Sequence, residues 1–232
     1  MNEIKLAIGI PTIGLCRTGF AYSLAGLIGY IAAKGITTLP DCKVDAMIDC
    51  QESTNLLTNR EQLVARAIER GKTHLMFLDE DMIFQPKILD LLAGRRHPVV
   101  CVNYLIKTDP PSQSEFVAVS LTGKRIPTRP EDTGIVPIAY SGFGVSLFDL
   151  EVFKKAERPW FLPKFHEAKS EYTTEDNPCY EKIRKAGFDV YLDHDASKLV
   201  SHVGNKAWNW SEWRPRADVV VMKDHAEMME KP

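Results

Sequence analysis

Leu75-Met76-Phe77-Leu78-Asp79-Glu80-Asp81 decides the fold. Four apolar side chains in a row leave no polar face, so the segment reads as a strand covered on both sides. The run then breaks into three carboxylates. In open α/β sheets, ligands bind beyond the carboxyl ends of the strands. The junction is therefore both an interior strand and the rim of a candidate site. Two aspartates this close repel one another unless a cation or donor lies between them. A divalent metal held by one or two carboxylates completes its shell with water and substrate phosphates. Asp-x-Asp is a short pattern, and a solvated acidic turn is its plainer reading when taken alone.

Outward from this stretch, buried strands alternate with amphipathic helices. Leu6-Ala7-Ile8-Gly9-Ile10 is a short apolar run stopped by Pro11, hence a strand. Residues 19–34 read as a helix ended by Gly35, and Val44 to Asp49 as a second strand. Thr58 and Glu61 have capping-box spacing, and Leu63, Val64, Ala67 and Ile68 give the following helix one apolar face before Gly71 stops it. After the triplet, Pro86 can open a helix that Gly94 closes. Val99 to Val102 is another strand. This alternation predicts an α/β domain with a mainly parallel central sheet flanked by helices. Residues 103–134 are rich in proline and polar side chains, read as substrate loops with one strand at 116–121. Ile135 to Tyr140 is a strand that runs into Ser141-Gly142-Phe143-Gly144, with a helix around 149–156 after it. Thr173 or Thr174 can cap a helix running to Gly187. Strands at 188–192 and 199–203 complete a domain over 1–204, and 205–232 is a tail rich in tryptophan and charge.

At 232 residues the chain is long enough for one substantial core, burying roughly 70% of the surface of the unfolded chain. It is 44% hydrophobic and 26% charged, with a formal net charge of −2. That balance supplies no global field for nucleic acid or an anionic membrane, although a local basic patch stays open. The five cysteines are scattered with no CxxC pair. They read as reduced thiols of a soluble, cytoplasmic protein. The apolar stretch from Gly19 to Ala33 is too interrupted and too short for a membrane span, so no stable membrane insertion is expected.

Two further features carry chemistry. Glu175-Asp176 lies at the start of a helix, where acidic residues complement the macrodipole, the plainer reading; the functional one is a general base near an acceptor hydroxyl. His202 stands in the apolar run Leu199 to Val203, as a structural residue or as a metal ligand through a neutral ring nitrogen.

The order and separation of these features resemble the GT-A fold glycosyltransferases, especially the small family-two-like members. The resemblance covers about residues 5–204. It matches Ile8-Gly9-Ile10-Pro11-Thr12 to a nucleotide-binding first strand, and Asp79-Glu80-Asp81 to the Asp-x-Asp motif. It matches Gly142 and Gly144 to a glycine segment, Glu175-Asp176 to a Glu-Asp pair opening a helix, and His202 to a later histidine. The resemblance implies a sugar-nucleotide donor, with a UDP-sugar expected, and Mn²⁺ (or Mg²⁺). Asp81 and His202 would hold the metal, and Asp79 would contact the ribose or the metal's water shell. A mixed imidazole and carboxylate set suits Mn²⁺ better than Mg²⁺. Pro11 and Thr12 would line the base pocket, and Arg60 would approach the uracil or phosphates, or else form a surface ion pair. Glu80 belongs to the same nucleotide-binding set. Asp176 would be the base of an inverting transfer, with Glu175 assisting or the two roles exchanged. The backbone at Gly142 and Gly144 would approach the donor sugar. The acceptor stays open among glycans, lipids, proteins and modified nucleic-acid bases, the missing span disfavouring lipids. The tail from Trp208 to Arg216 could stack sugars or bases, or pack on its own domain.

A nucleotidyltransferase would want a glycine-rich basic loop after the first strand, for which Gly14-Leu15-Cys16-Arg17 is thin. A haloacid-dehalogenase-type phosphohydrolase carries its Asp-x-Asp on the first strand. A carbohydrate-binding relic of the fold would lack the need for Asp81, Asp176 and His202.

Overall fold

The computed structural model describes residues 3–39, 42–108, 115–204 and 207–212. The first half runs β1 (Glu3–Thr12), α1 (Thr18–Lys34), β2 (Lys43–Glu52), α2 (Leu56–Glu69), β3 (His74–Leu78), β4 (Met82–Phe84), α3 (Ile88–Gly94) and β5 (Val99–Cys101). The second half runs β6 (Ile135–Pro137), β7 (Val145–Asp149), α4 (Glu151–Lys155), β8 (Phe165–His166), β9 (Glu171–Tyr172), α5 (Asp176–Lys185), β10 (Tyr191–Asp193), α6 (His194–Ser197), β11 (Val200–Val203) and β12 (Ala207–Asn209).

Seven strands form the central sheet in the order β2-β1-β3-β7-β5-β10-β6. The sheet is mixed, which corrects the expectation of a mainly parallel one. β1 is parallel to β2 and β3, and β10 is parallel to β5, but β7 runs antiparallel to both β3 and β5, and β6 antiparallel to β10. The cause is β7, which the sequence reading passed over. It lies between the glycine segment and α4, a stretch for which no element is expected.

Alternation along each strand divides the core in two. Ile4, Leu6, Ile8 and Ile10 of β1, with Met76 and Leu78 of β3, pack beneath Phe20, Leu27 and Ile31 of α1 and Ile88 and Leu92 of α3. Ala7, Leu75, Phe77 and Phe148 face the other way, onto Leu63, Val64 and Ala67 of α2 and Tyr180 and Ile183 of α5. The unbroken apolar run of β3 is thus explained by cover on both faces. No helix among the described residues is long and apolar enough to cross a membrane.

Helix ends differ from the sequence reading where another partner competes. The cap of α2 is Asn55, whose side chain accepts from the Thr58 amide at 3.1 Å, three residues before the predicted start. Glu61 closes no capping box; its carboxylate accepts from the backbone amides of Trp160 and Phe161. Neither Thr173 nor Thr174 caps α5: Glu175 occupies the cap position, and the Thr174 hydroxyl donates to Asp176. Pro86 precedes α3 by two residues, outside the helix. Isolated bridges replace the strand expected at 116–121.

A small antiparallel sheet, β12-β11-β4, stands beside the main one. β4 leaves directly from the acidic triplet, and its register sets His202 opposite Met82. Ser23 of α1 accepts from the Phe84 amide at 3.0 Å and holds β4 in place. β12 adds residues 207–209 to β11, and Trp210 packs on Leu105 and Phe116. Trp213, Arg214 and Arg216, and the Trp208 side chain, lie outside the described residues, and with them the stacking role expected of the tail.

Because Phe148 sits on the central antiparallel strand with no exposure, Phe148→Ala should cost about 4 kcal/mol in urea unfolding, and a loss below about 1 kcal/mol would show that β7 does not hold the sheet together.

Candidate active site

The end of β3 and the start of α5 meet through Arg60. This side chain lies in the first turns of α2 yet is only 2% exposed. Its Nη2 donates to both oxygens of Asp79, at 2.9 and 3.1 Å, and its Nε donates to Glu175 at 3.2 Å. The guanidinium lies over the rings of Phe77 and Phe143, with 5.2 and 4.9 Å to the ring centres. Its Nη1 is buried with no hydrogen-bond partner, which leaves the ring faces as its electrostatic complement. Burial works against the charge, but Asp79 and Glu175 outweigh it and hold the guanidinium protonated. Arg60 is neither the open phosphate contact nor the surface ion pair expected of it. A planar fork that never loses its proton suits a buried bridge between two carboxylates.

Asp81 faces the opposite way. Its Oδ2 lies 3.4 Å from His202 Nε2 and also pairs with the Lys107 ammonium. The backbone enforces this closeness: the Val203 amide donates to the Asp81 carbonyl at 2.7 Å, and β11 pairs with β4 immediately beyond. The other ring nitrogen, Nδ1, lies 2.9 Å from the Leu105 carbonyl. A carbonyl can only accept, so Nδ1 carries a hydrogen and a neutral ring presents its Nε2 lone pair toward Asp81. Burial would raise the Asp81 pKa, but Lys107 and the protonated form of His202, which donates from Nε2, together bring it down to about 2.

This donor pair fits a divalent cation. A lone pair and a carboxylate oxygen facing each other at 3.4 Å call for a proton or a metal between them. Two ligands each about 2.1 Å from one ion lie roughly 3.0–3.4 Å apart. Among the described residues, no cluster of three His, Cys, Asp or Glu side chains forms. Around these two side chains, water or substrate oxygen would complete the shell. Asp79 stands apart from this pair, with both oxygens engaged by Arg60.

The remaining expected residues surround the same sheet end. Pro11 is buried at the end of β1, and the Thr12 hydroxyl donates to Glu80 while accepting from the Gly14 amide at 2.9 Å. Asn59 donates to the Thr12 and Ser53 carbonyls at 3.2 and 3.0 Å and fixes that end. Asp176 accepts from the Thr174 hydroxyl and, at 2.7 Å, from the Asn177 amide, both on Oδ1. Its Oδ2 has no hydrogen-bond partner among the described residues. Burial and the neighbouring Glu175 charge raise its pKa above the ordinary aspartate range, against the pull of Thr174, Asn177 and Arg60.

Gly142 and Gly144 have a structural neighbour that explains the absence of side chains. Both glycines face Tyr104. A Cβ on Gly142 would meet the Tyr104 hydroxyl at 2.0 Å, and one on Gly144 would meet its ring at 2.8 Å. The side-chain space of both glycines belongs to Tyr104. The Gly144 amide donates to the Tyr104 hydroxyl at 3.1 Å, while its carbonyl accepts from the Asp79 amide at 3.0 Å. The Tyr104 ring also meets His202 edge-on at 5.0 Å. Asn59, Tyr104 and Lys107 were all missed from sequence. Asn59 neighbours Arg60 in an ordinary helix start, and the other two lie in a loop without periodicity.

No protein-family model matches the chain, and no curated protein matches it. Among solved structures, A197 from STIV is similar in fold. The likeness has a TM-score of 0.57 at 17% identity and covers 96% of this chain and all of that one. At this identity it speaks for the fold alone.

Arg60→Met should lower stability by about 3 kcal/mol, because it strands two partly buried carboxylates without their cation. Adding Asp79→Asn and Glu175→Gln should recover most of that loss in urea unfolding. Equal stability of Arg60→Met and the parent chain would show that Arg60 is not the bridge described.

Proposed function

We propose that the chain is a metal-dependent glycosyltransferase of the GT-A type, moving a sugar from a nucleotide-diphosphate donor, most simply a UDP-sugar, to an acceptor hydroxyl. The observation that carries this reading is the Asp81–His202 pair, held at ligand spacing with the histidine tautomer fixed by Leu105. The free thiols of all five cysteines suit a cytoplasmic setting.

In this reading Asp81 and His202 hold Mn²⁺ (or Mg²⁺). A cation there would offset charge building on the departing nucleoside diphosphate. The end of β1, with Pro11 and Thr12 beside Glu80, borders the nucleotide. Asp79 keeps its place through Arg60 and offers its remaining exposure to the ribose. Asp176 takes the proton of the acceptor hydroxyl through its unpartnered oxygen. Its raised pKa makes it a stronger base than an ordinary aspartate, as general base catalysis favours. Attack from that side inverts the anomeric centre. Glu175 is committed to Arg60 and supports the base from the helix cap.

Thermal-shift measurements with Mn²⁺ and UDP test the donor site. At about 100 times the dissociation constant, stabilisation should reach roughly 2.7 kcal/mol and vanish in Asp81→Ala. Stabilisation by nucleoside triphosphates alone would favour nucleotidyl transfer, and no response to any nucleotide would sink both readings. Turnover tests the base. Asp176 must be ionised to act, so kcat/KM should rise with pH through an apparent pKa above the usual aspartate value. Asp176→Asn should lower kcat by about a hundredfold or more and remove that limb; an unchanged profile would take the base role from Asp176.

A further inference from the structure

We infer that Lys107 is an exchangeable internal cation: it balances Asp81 until a divalent ion arrives, then transfers to the diphosphate of the donor. The inference rests on the metal-site reading above and adds a binding residue and an order of events to it.

Lys107 Nζ and His202 Nε2 converge on the same oxygen, Asp81 Oδ2. Asp81 is the one carboxylate paired with Lys107 among the described residues. A divalent ion seated between Asp81 and His202 would therefore take over the charge that Lys107 now balances. Two cations on one carboxylate repel, and the ammonium must leave that oxygen or acquire another anion. A donor diphosphate brings that anion to the metal's open positions.

The backbone around Lys107 is prepared for a side-chain move alone. Tyr104 lies against His202, the Leu105 carbonyl fixes the His202 ring, and the Ile106 amide donates to the Glu115 carbonyl at 2.8 Å. The segment 104–106 thus holds its place on the histidine. The Lys107 side chain, 30% exposed, reaches from that anchor on a flexible four-carbon stem. An ammonium is a compact charge that can follow a phosphate without a fixed fork geometry. The exchange keeps the charge near Asp81 balanced with and without ligand.

The test is binding, read without turnover. Mn²⁺ alone is titrated by electron paramagnetic resonance, and inorganic pyrophosphate is then titrated at saturating Mn²⁺. Lys107→Gln should bind Mn²⁺ alone about fivefold more tightly, the upper end for a partly exposed ion pair, and pyrophosphate about fivefold more weakly. Lys107→Arg should keep pyrophosphate affinity near that of the parent chain. Unchanged or weaker Mn²⁺ binding by Lys107→Gln, or undiminished pyrophosphate binding, would overturn the inference while leaving the metal site standing. Absence of Mn²⁺ binding in the parent chain, matching Asp81→Ala, would remove the metal site and this inference with it.

Discussion

A single buried guanidinium holds the two halves of this site together. Arg60 comes from α2, Asp79 from the end of β3, and Glu175 from the cap of α5. Glu175 lies 115 positions from Arg60, and no strand pairing aligns the helix cap of α5 with the other two elements. Arg60 joins them with hydrogen bonds of defined direction, above an aromatic floor of Phe77 and Phe143. The position of Asp79, and through Glu175 that of its neighbour Asp176, follows from that bridge. The cost is a charge in the interior, and it is met by two carboxylates and two ring faces instead of by solvent.

The second constraint is backbone pairing. β4 begins one residue after the triplet and β11 lies along it, so Asp81 and His202 meet although 121 positions separate them. The two constraints divide the triplet. Asp79 faces the arginine, Asp81 faces the histidine, and Glu80 reaches Thr12 at the end of β1. Each carboxylate has a different partner, which is how three acidic residues can stand side by side at a strand end.

The parts of the fold legible in sequence were those with strong local signals. The apolar run of Leu75 to Leu78, the glycine stops at Gly35 and Gly71, and the stripe of Leu63, Val64 and Ala67 all fall where their periodicity placed them. β7 was not legible as a strand, and its direction could not have been, because an apolar run looks the same whether the strand runs up or down. The site was legible in its titratable residues and misread in its supports. Arg60 looked solvent-facing because nothing in a helix start announces an aromatic floor. The neighbour that takes the side-chain space of Gly142 and Gly144, Tyr104, gave no signal because it lies 38 and 40 positions away. Lys107 gave no signal, since its partner is set by the tertiary path of its loop.

The account turns on whether Asp81 and His202 form a cation site. Anomalous diffraction from crystals soaked with Mn²⁺ and UDP reads this directly. The prediction is a manganese peak bridging an Asp81 oxygen and His202 Nε2, with His202 still bonded to Leu105 and Asp79 still bonded to Arg60. A peak centred on Asp79 with Arg60 displaced, or no peak at this end of the sheet, would contradict it.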